Sequence, residues 1–228
     1  MLVAGALIPS IINVSIFPIM SRFYVSSKDS LRFAYETYFR YMVMVGIPIG
    51  FGTTLLADRI ILLIFDAEYK NSIIALQILV WSSVFIFLSS ALARLLESSN
   101  RQLTITKITA INALANVILN LILIPKFSYI GASIATVITE FSALMFGIVV
   151  CSNLGYGLSK KNLIGLSKIT IASLSMSIFI VCLRDLNLLF LILLSAGFYF
   201  FILYLLSWFE EVDIEIVRSI VSRSGMEK

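Results

Sequence analysis

Apolar residues fill seven long stretches of the chain, and the short segments between them carry most of the charge. Each stretch approaches the ~20 residues that a helix needs to cross the hydrocarbon core of a bilayer. Helices are predicted because lipid offers backbone groups no partner outside their own segment. The predicted spans are residues 2–20, 41–57, 73–93, 104–124, 129–151, 163–183 and 186–208.

Two segments outside the spans show helical periodicity. The apolar positions Leu31, Tyr35, Tyr38 and Met42 recur at helical spacing, which predicts that residues 22–40 form an amphipathic helix at the interface that runs into the second span. Residues 60–65 could extend the short second span, 41–57; they are too short to cross alone, and we favour a separate short helix at the interface or against the bundle.

The chain is therefore divided into four parts. Residues 1–21 form the first span and residues 22–40 the cytoplasmic amphipathic segment. A six-helix transmembrane lobe follows over residues 41–208, and an amphipathic tail, with Asp213 as its helix cap, occupies residues 209–228. The fold class predicted is an all-α integral membrane protein of about seven spans.

Composition excludes most soluble functions. Of the 228 residues, 60% are apolar and 13% charged, against about 25% charged in ordinary soluble proteins. The mean hydropathy is +1.02. Histidine is absent, which excludes a Ser-His-Asp triad and an HExxH zinc site, and no phosphate-binding P-loop motif occurs. We therefore expect no catalytic residues, no metal site and no cofactor, and predict that the chain is not an enzyme.

Charge gives the predicted orientation. The formal net charge of +4 does not indicate a nucleic-acid partner, because most basic residues fall in alternate loops on one side of the predicted spans. This positive-inside bias predicts a multi-pass protein of the cell (plasma or inner) membrane with its N-terminus outside and its C-terminus in the cytoplasm. It also places Cys151 and Cys182 on opposite faces. The cytoplasmic basic residues are Arg22, Lys28, Arg32, Arg40, Arg94, Arg101, Lys107, Lys160, Lys161, Lys168, Arg218, Arg223 and Lys228; the outer ones are Arg59, Lys70, Lys126 and Arg184.

The first 21 residues carry no charge and no signal-peptide cleavage pattern. Two interpretations remain open: a genuine seven-span protein, or the C-terminal part of a longer transporter. We favour the second.

Polar residues inside the spans are the candidate site. Asn112, Asn116 and Asn120 lie four residues apart and form one stripe on the fourth predicted span, because residues i and i+4 share a helix face. Amides facing lipid cost free energy, so the stripe is expected to face protein or water. The stripe either holds neighbouring helices together through hydrogen bonds or forms one wall of a polar substrate cleft.

The fifth predicted span adds Ser133, Thr136 and Glu140 to the cleft candidates. Glu140 lies about midway along the span, where an ionisable group suggests a cation or proton site. The alternative is a protonated structural carboxyl. At the cytoplasmic side, Arg94 pairs with Glu97 at helical spacing, and Arg94, Arg101 and Lys107 are candidates for an inner mouth that binds a diphosphate.

Glycine and proline suggest a helix-packing point in the second span. Gly46 and Gly50 form a GxxxG motif around Pro48, which allows close helix contact or a hinge.

Several motifs resemble one transporter family. The stretch from Asn112 to Glu140, NALANVILNLILIPKFSYIGASIATVITE, resembles the asparagine-rich helix and following turn of the polysaccharide-biosynthesis, or oligosaccharide-lipid, flippases of the multidrug/oligosaccharidyl-lipid/polysaccharide (MOP) superfamily. The strings FPIMSR at residues 17–22 and GIP at 46–48 also match, as does LLIFDAEY at 62–69, where Asp66 replaces the family's usual glycine. The resemblance implies two six-helix lobes across a cleft, with this chain forming the C-terminal one.

The resemblance implies a function without covalent chemistry. The family moves isoprenoid-diphosphate-linked oligosaccharide from the inner to the outer leaflet by alternating access, so the implied partners are that substrate, membrane lipid and a missing N-terminal lobe or second chain. The alternatives are one half of a MATE-like multidrug/cation antiporter and a non-transporting partner subunit. A membrane glycosyltransferase or polymerase would normally show a large outer loop or paired acidic residues beside a span, and the chain has neither.

Overall fold

The computed structural model describes residues 16–209 and Asp213. Every regular element within this part of the chain is a helix, which confirms the predicted all-α membrane fold. Of its helices, five are long and apolar enough to cross a membrane, and about 28–33% of the most apolar window of each is buried inside the protein. The helices are α1 (residues 16–26 of the described part), α2 (Lys28–Phe65), α3 (Ser72–Ser98), α4 (Gln102–Asn153), α5 (Lys160–Cys182) and α6 (Leu188–Leu205).

Local sequence sets where these helices begin. Ser27, Ser159 and Asn187 precede α2, α5 and α6, and each side-chain oxygen accepts a hydrogen bond from a backbone N–H of the first turn at 3.0–3.2 Å. Such caps satisfy donors that the helix itself leaves unpaired, and each is worth about 1 kcal/mol. The loops can therefore be short.

Three helices end in the same backbone motif. After α3, α4 and α6, a residue with positive φ is followed by a bond from the next N–H to a carbonyl five residues back, as in Tyr156 N–H to the Cys151 carbonyl at 2.8 Å. This hydrogen bond satisfies a carbonyl that the last turn of the helix leaves without a partner, and it requires one residue in the left-handed conformation. The positions are Asn100 (φ 58), Gly155 (φ 86) and Ser207 (φ 48).

Helix α4 is a hairpin and not one straight rod. Ser128 breaks it with φ 52 and ψ −136, three residues after Pro125. Residues 102–127 (arm one) and 129–153 (arm two) then lie antiparallel, since Ser142 bonds back to Asn112. Gly131 permits the tight return, because a Cβ there would stand 2.4 Å from the Leu123 carbonyl oxygen. The separate predicted spans 104–124 and 129–151 correspond to these arms.

Helix α2 is the centre of the lobe and contacts both α3 and α5. Its glycines allow the approach of α3: a Cβ on Gly46 would lie 2.9 Å from Phe87 Cβ, and one on Gly50 would lie 2.6 Å from Val84 Cγ2. The GxxxG motif therefore works as a packing surface. Helix α3 continues the layer to α4, while α6 packs on α5.

Several described basic residues make contacts at two opposite ends of the lobe. Arg32 donates to the Gly155 carbonyl, and the Arg94 guanidinium lies 5.9 Å from the centre of the Phe17 ring, so these groups share what we call the basic end. Arg59 donates to the Arg184 carbonyl at 2.6 Å at the opposite end. Both cysteines are free; Cys151 is buried and Cys182 exposed.

The structure differs from the sequence prediction at both ends of the second span. Helix α2 runs unbroken from Lys28 to Phe65, so residues 60–65 form its last turns and not a separate helix. The apolar positions of residues 22–40 do share a face, but Leu31, Tyr35 and Tyr38 are buried against protein and not laid on lipid. Because α2 continues without a break, this face packs against α3, where the Tyr38 and Ser90 hydroxyls form a hydrogen bond.

The first span and the tail fall mostly outside the described residues. Only residues 16–21 of the predicted span 1–21 are described, and they are helical. Of the predicted tail 209–228, Phe209 and Asp213 are described. The count of about seven spans therefore stays a prediction, whereas α2, α3, the two arms of α4, α5 and α6 supply six apolar helical passes.

Candidate functional site

The asparagine stripe lies inside the α4 hairpin. Asn116 Nδ2 donates to Thr139 Oγ1 at 3.1 Å, and Ser142 Oγ donates to Asn112 Oδ1 at 2.8 Å, so both bonds cross from one arm to the other. Asn120 Nδ2 donates to Asn116 Oδ1 at 2.8 Å. The stripe thus faces arm two, as expected for amides that avoid lipid.

One end of this network remains open. Thr139 Oγ1 donates to the Ala135 carbonyl while it accepts from Asn116, so that end closes on backbone. At the other end, the Asn120 Oδ1 atom is buried and accepts no hydrogen bond from the described part of the chain. A buried acceptor without a donor costs about 1–3 kcal/mol, so this position suits a hydroxyl or water from outside the described residues.

The remaining cleft candidates lie on a different side of arm two. At about 100° per residue, Ser133, Glu140 and Gly147 share a face that points away from the stripe. Gly147 on that face packs on Leu92 of α3. Ser133 and Thr136 donate to carbonyls of their own helix at 3.1 and 2.9 Å. The six predicted cleft residues therefore form two groups, and the structure does not bring them into one wall.

Glu140 is half-buried beside α3. Within residues 16–209 and Asp213, its carboxylate makes no hydrogen bond and no ion pair. A carboxyl at this depth in an apolar helix is costly when charged and unpaired. It therefore requires a proton, a cation or a partner outside the described residues.

The inner-mouth candidates differ among themselves. Arg94 makes a two-pronged ion pair with Glu97, at 2.5 and 2.7 Å, and both side chains are about three-quarters buried. Its guanidinium is therefore largely occupied. Arg101 and Lys107 are exposed at the start of α4 at the basic end.

Sequence reasoning missed two sets of residues. The first set is Thr139 and Ser142, which hydrogen-bond to the stripe. The sequence does not predict these bonds because they depend on the register between the two arms of the hairpin. The second set is a cluster at the basic end, where Arg40 of α2 pairs with Asp213 and the Tyr41 hydroxyl donates to the same carboxylate at 2.6 Å. Arg40 looked like an ordinary topology-determining residue, since nothing in the sequence indicates that it is buried.

Comparison with known proteins identifies relatives that match parts of this chain. No protein-family model matches the chain. Over 138 residues the chain is 31% identical to an uncharacterised membrane protein of Methanocaldococcus jannaschii, covering 60% of this chain and 27% of that protein. Over 148 residues it is 30% identical to the capsular polysaccharide biosynthesis protein CapF of Staphylococcus aureus, covering 63% of this chain and 37% of CapF.

Two further matches concern flippases. A stretch of 97 residues is 29% identical to the probable low-salt glycan biosynthesis flippase Agl15 of Haloferax volcanii, covering 42% of this chain and 21% of Agl15. The fold matches the lipid II flippase MurJ in an inward closed conformation with a TM-score of 0.70 and 19% identity. The resemblance to the polysaccharide-biosynthesis flippase family is confirmed.

The flippase likeness covers most of this chain but only part of its relatives. The fold match spans 86% of the chain and 44% of MurJ, and the sequence matches span at most 37% of the relatives. The chain thus has the fold of about half of a MurJ-type transporter. It is a multi-pass membrane protein, and two of the named proteins that it resembles, Agl15 and MurJ, are named as flippases.

Proposed function

We propose that this chain forms the C-terminal lobe of a flippase that carries isoprenoid-diphosphate-linked oligosaccharide from the cytoplasmic to the outer leaflet. The observation that carries the proposal is the amide network of the α4 hairpin, whose last acceptor, Asn120 Oδ1, is buried and has no donor among the residues that the structure describes. Amides suit sugar hydroxyls because each presents both donors and an acceptor. The relatives CapF and Agl15, named for capsular polysaccharide and glycan biosynthesis, support the substrate class.

The proposed mechanism is alternating access. A second lobe, from the same polypeptide or another chain, would face this one across a polar cleft, while the lipid tail of the substrate stays in the bilayer. In this proposal the basic end is cytoplasmic, and the exposed Arg101 and Lys107 meet the diphosphate there. No bond is made or broken, so the sites bind and do not catalyse.

The stripe is tested by replacing Asn112, Asn116 and Asn120 with Leu, singly and together, in the complete transporter. Asn153→Leu, at the exposed end of α4, is the matched control. The readout is the transfer of a fluorescent isoprenoid-diphosphate saccharide across proteoliposomes, with protein abundance measured in parallel. Loss of transfer at normal abundance is expected for the stripe variants alone. If transfer falls only in proportion to abundance, the stripe serves only to stabilise helix packing.

One observation favours a second candidate, a cation-coupled multidrug antiporter. Glu140 is a half-buried carboxyl without a described partner, as a cation site requires. The same proteoliposomes separate the two functions, because an antiporter would move an organic cation against an imposed proton or sodium gradient and leave the saccharide in place.

A further inference from the structure

The cluster at the basic end joins Arg40 and Tyr41 of α2 with Asn162 of α5 and with Trp208 and Asp213, which follow α6. Arg40 is 9% exposed and Asp213 is 5% exposed. The Trp208 ring covers the guanidinium at 4.8 Å, in the geometry of a cation–π contact. Burying either charge alone would cost several kcal/mol, so the carboxylate and the aromatic ring stabilise the buried guanidinium.

Two further donors in this cluster have no acceptor among the described residues. Asn162 Nδ2 and Trp208 Nε1 are both buried without a hydrogen-bond partner in residues 16–209 and Asp213, and the residues themselves are 6% and 3% exposed. Asn162 and Arg40 line the same small cavity, together with Gly165 and Leu166. Trp208 Nε1 lies 3.8 Å from the position that a Cβ on Gly165 would take, so the indole reaches the same region.

The chemistry of the cluster is that of an anion site. Its unsatisfied groups are N–H donors, its charge is a guanidinium, and Asn162 and Gly165 lie in the first two turns of α5, where the helix dipole favours negative charge. One anion, the Asp213 carboxylate, already sits on Arg40 and Tyr41. That carboxylate leaves the Asn162 and Trp208 donors unused, whereas a group with more acceptor oxygens would reach them.

We propose that Arg40, Asn162 and Trp208 form a binding site for a phosphate group, and that Asp213 occupies it as a tethered competitor. Phosphate fits because it offers several acceptor oxygens in the geometry that a guanidinium fork recognises. The phosphate belongs either to a lipid headgroup at the membrane surface or to a free phosphate in solution. Binding would exchange the Asp213 carboxylate for the ligand at Arg40. This site is independent of the saccharide cleft and stands if the transported substrate is different.

The test uses the full chain in nanodiscs and the Trp208 fluorescence. The chain has two tryptophans, so Trp81→Phe leaves Trp208 as the only reporter. In this background, Asp213→Asn removes the competitor, and Asp185→Asn is the control, since it changes the net charge equally at an exposed position of the opposite end. Inorganic phosphate is titrated into neutral phosphatidylcholine discs, and a second set of discs contains phosphatidic acid.

We expect Asp213→Asn to respond to phosphate at a concentration at least tenfold lower than the parent or Asp185→Asn, and adding Asn162→Leu to abolish that gain. A fluorescence shift that appears with phosphatidic acid and without added phosphate identifies the lipid headgroup as the ligand; a shift with inorganic phosphate alone identifies the free ion.

Because Asp213→Asn removes the carboxylate that pairs with Arg40, the thermal unfolding of this variant is measured as well, and phosphate should raise its midpoint more than that of the parent. Equal responses of Asp213→Asn and Asp185→Asn in both measurements would overturn the proposal.

Discussion

Asp66 ends α2 in a backbone conformation, φ 67 and ψ 176, that is almost confined to glycine. The family pattern that the chain resembles has glycine here, and the structure supplies the reason. Asp66 also lies next to the short turn Ala67–Tyr69, so its backbone must reverse direction sharply. An aspartate held in this region stores strain that the surrounding packing has to offset.

We predict that Asp66→Gly raises the free energy of unfolding by about 1 kcal/mol, because it relieves this strain. Thermal unfolding in detergent measures the change. Asn100→Gly is the matched control, since Asn100 (φ 58) also has positive φ but asparagine tolerates the left-handed region. A gain as large at Asn100 as at Asp66 would show that the ψ of 176 at Asp66 carries no special strain.

Glu140 provides a second prediction at this scale. If this carboxyl binds the coupling ion, Glu140→Gln keeps its shape and hydrogen-bonding groups but removes its charge. Saccharide transfer should fall at least tenfold and lose its dependence on pH or sodium, while abundance stays normal. Glu68→Gln, an exposed acid at the opposite end, is the control and should be silent. Unchanged ion dependence in Glu140→Gln would mean that the carboxyl has a structural role.

Among the elements, α2 and α3 depend on two glycines that permit close approach. A Cβ on Gly50 would lie 2.6 Å from Val84 Cγ2, a separation that forces one helix to shift. Overpacking of this kind costs about 1–3 kcal/mol.

Gly50→Ala is therefore expected to lower the free energy of unfolding by about 1–3 kcal/mol, and the double variant with Val84→Ala should recover much of it by making room for the methyl group. Gly197→Ala is the control, since nothing lies within 4 Å of its Cβ position and alanine favours helix. The three variants are compared by unfolding in detergent. Absence of rescue by Val84→Ala would show that the contact with Val84 does not set the helix separation.

The elements also show how far the sequence could predict the structure. Periodicity predicted the apolar spans and the shared apolar face of residues 31–42, because hydrophobic spacing indicates which positions lie away from water. It could not tell whether Leu31, Tyr35 and Tyr38 cover lipid or protein, since both surroundings are apolar. Nor could it separate the face of the stripe from that of Glu140, because their relation depends on the register of the hairpin, set by Ser128.

For the whole molecule, basic side chains make contacts at both ends of the lobe. Arg32, Arg94 and Lys168 make contacts at the basic end, and Arg59 and Arg184 make contacts at the opposite end. These positions are a property of the fold, whereas the side of the membrane on which each end lies remains a proposal from the positive-inside rule.

Cysteine labelling tests that proposal. The native pair is a poor probe because Cys151 is buried and Cys182 is exposed, so their reactivities differ for reasons other than sidedness. In a variant with both cysteines replaced by Ser, single cysteines are introduced at Lys107 and Lys126, which are both exposed and lie near opposite ends of arm one. They are separated by about 28 Å of helix at 1.5 Å per residue, close to the thickness of the hydrocarbon core.

In intact cells, an impermeant maleimide should label the Lys126→Cys protein, and should label Lys107→Cys only after the membrane is opened. The reverse pattern would place the basic end outside and remove Arg101 and Lys107 from the cytoplasmic mouth. Labelling of both in intact cells would mean that arm one does not cross the membrane.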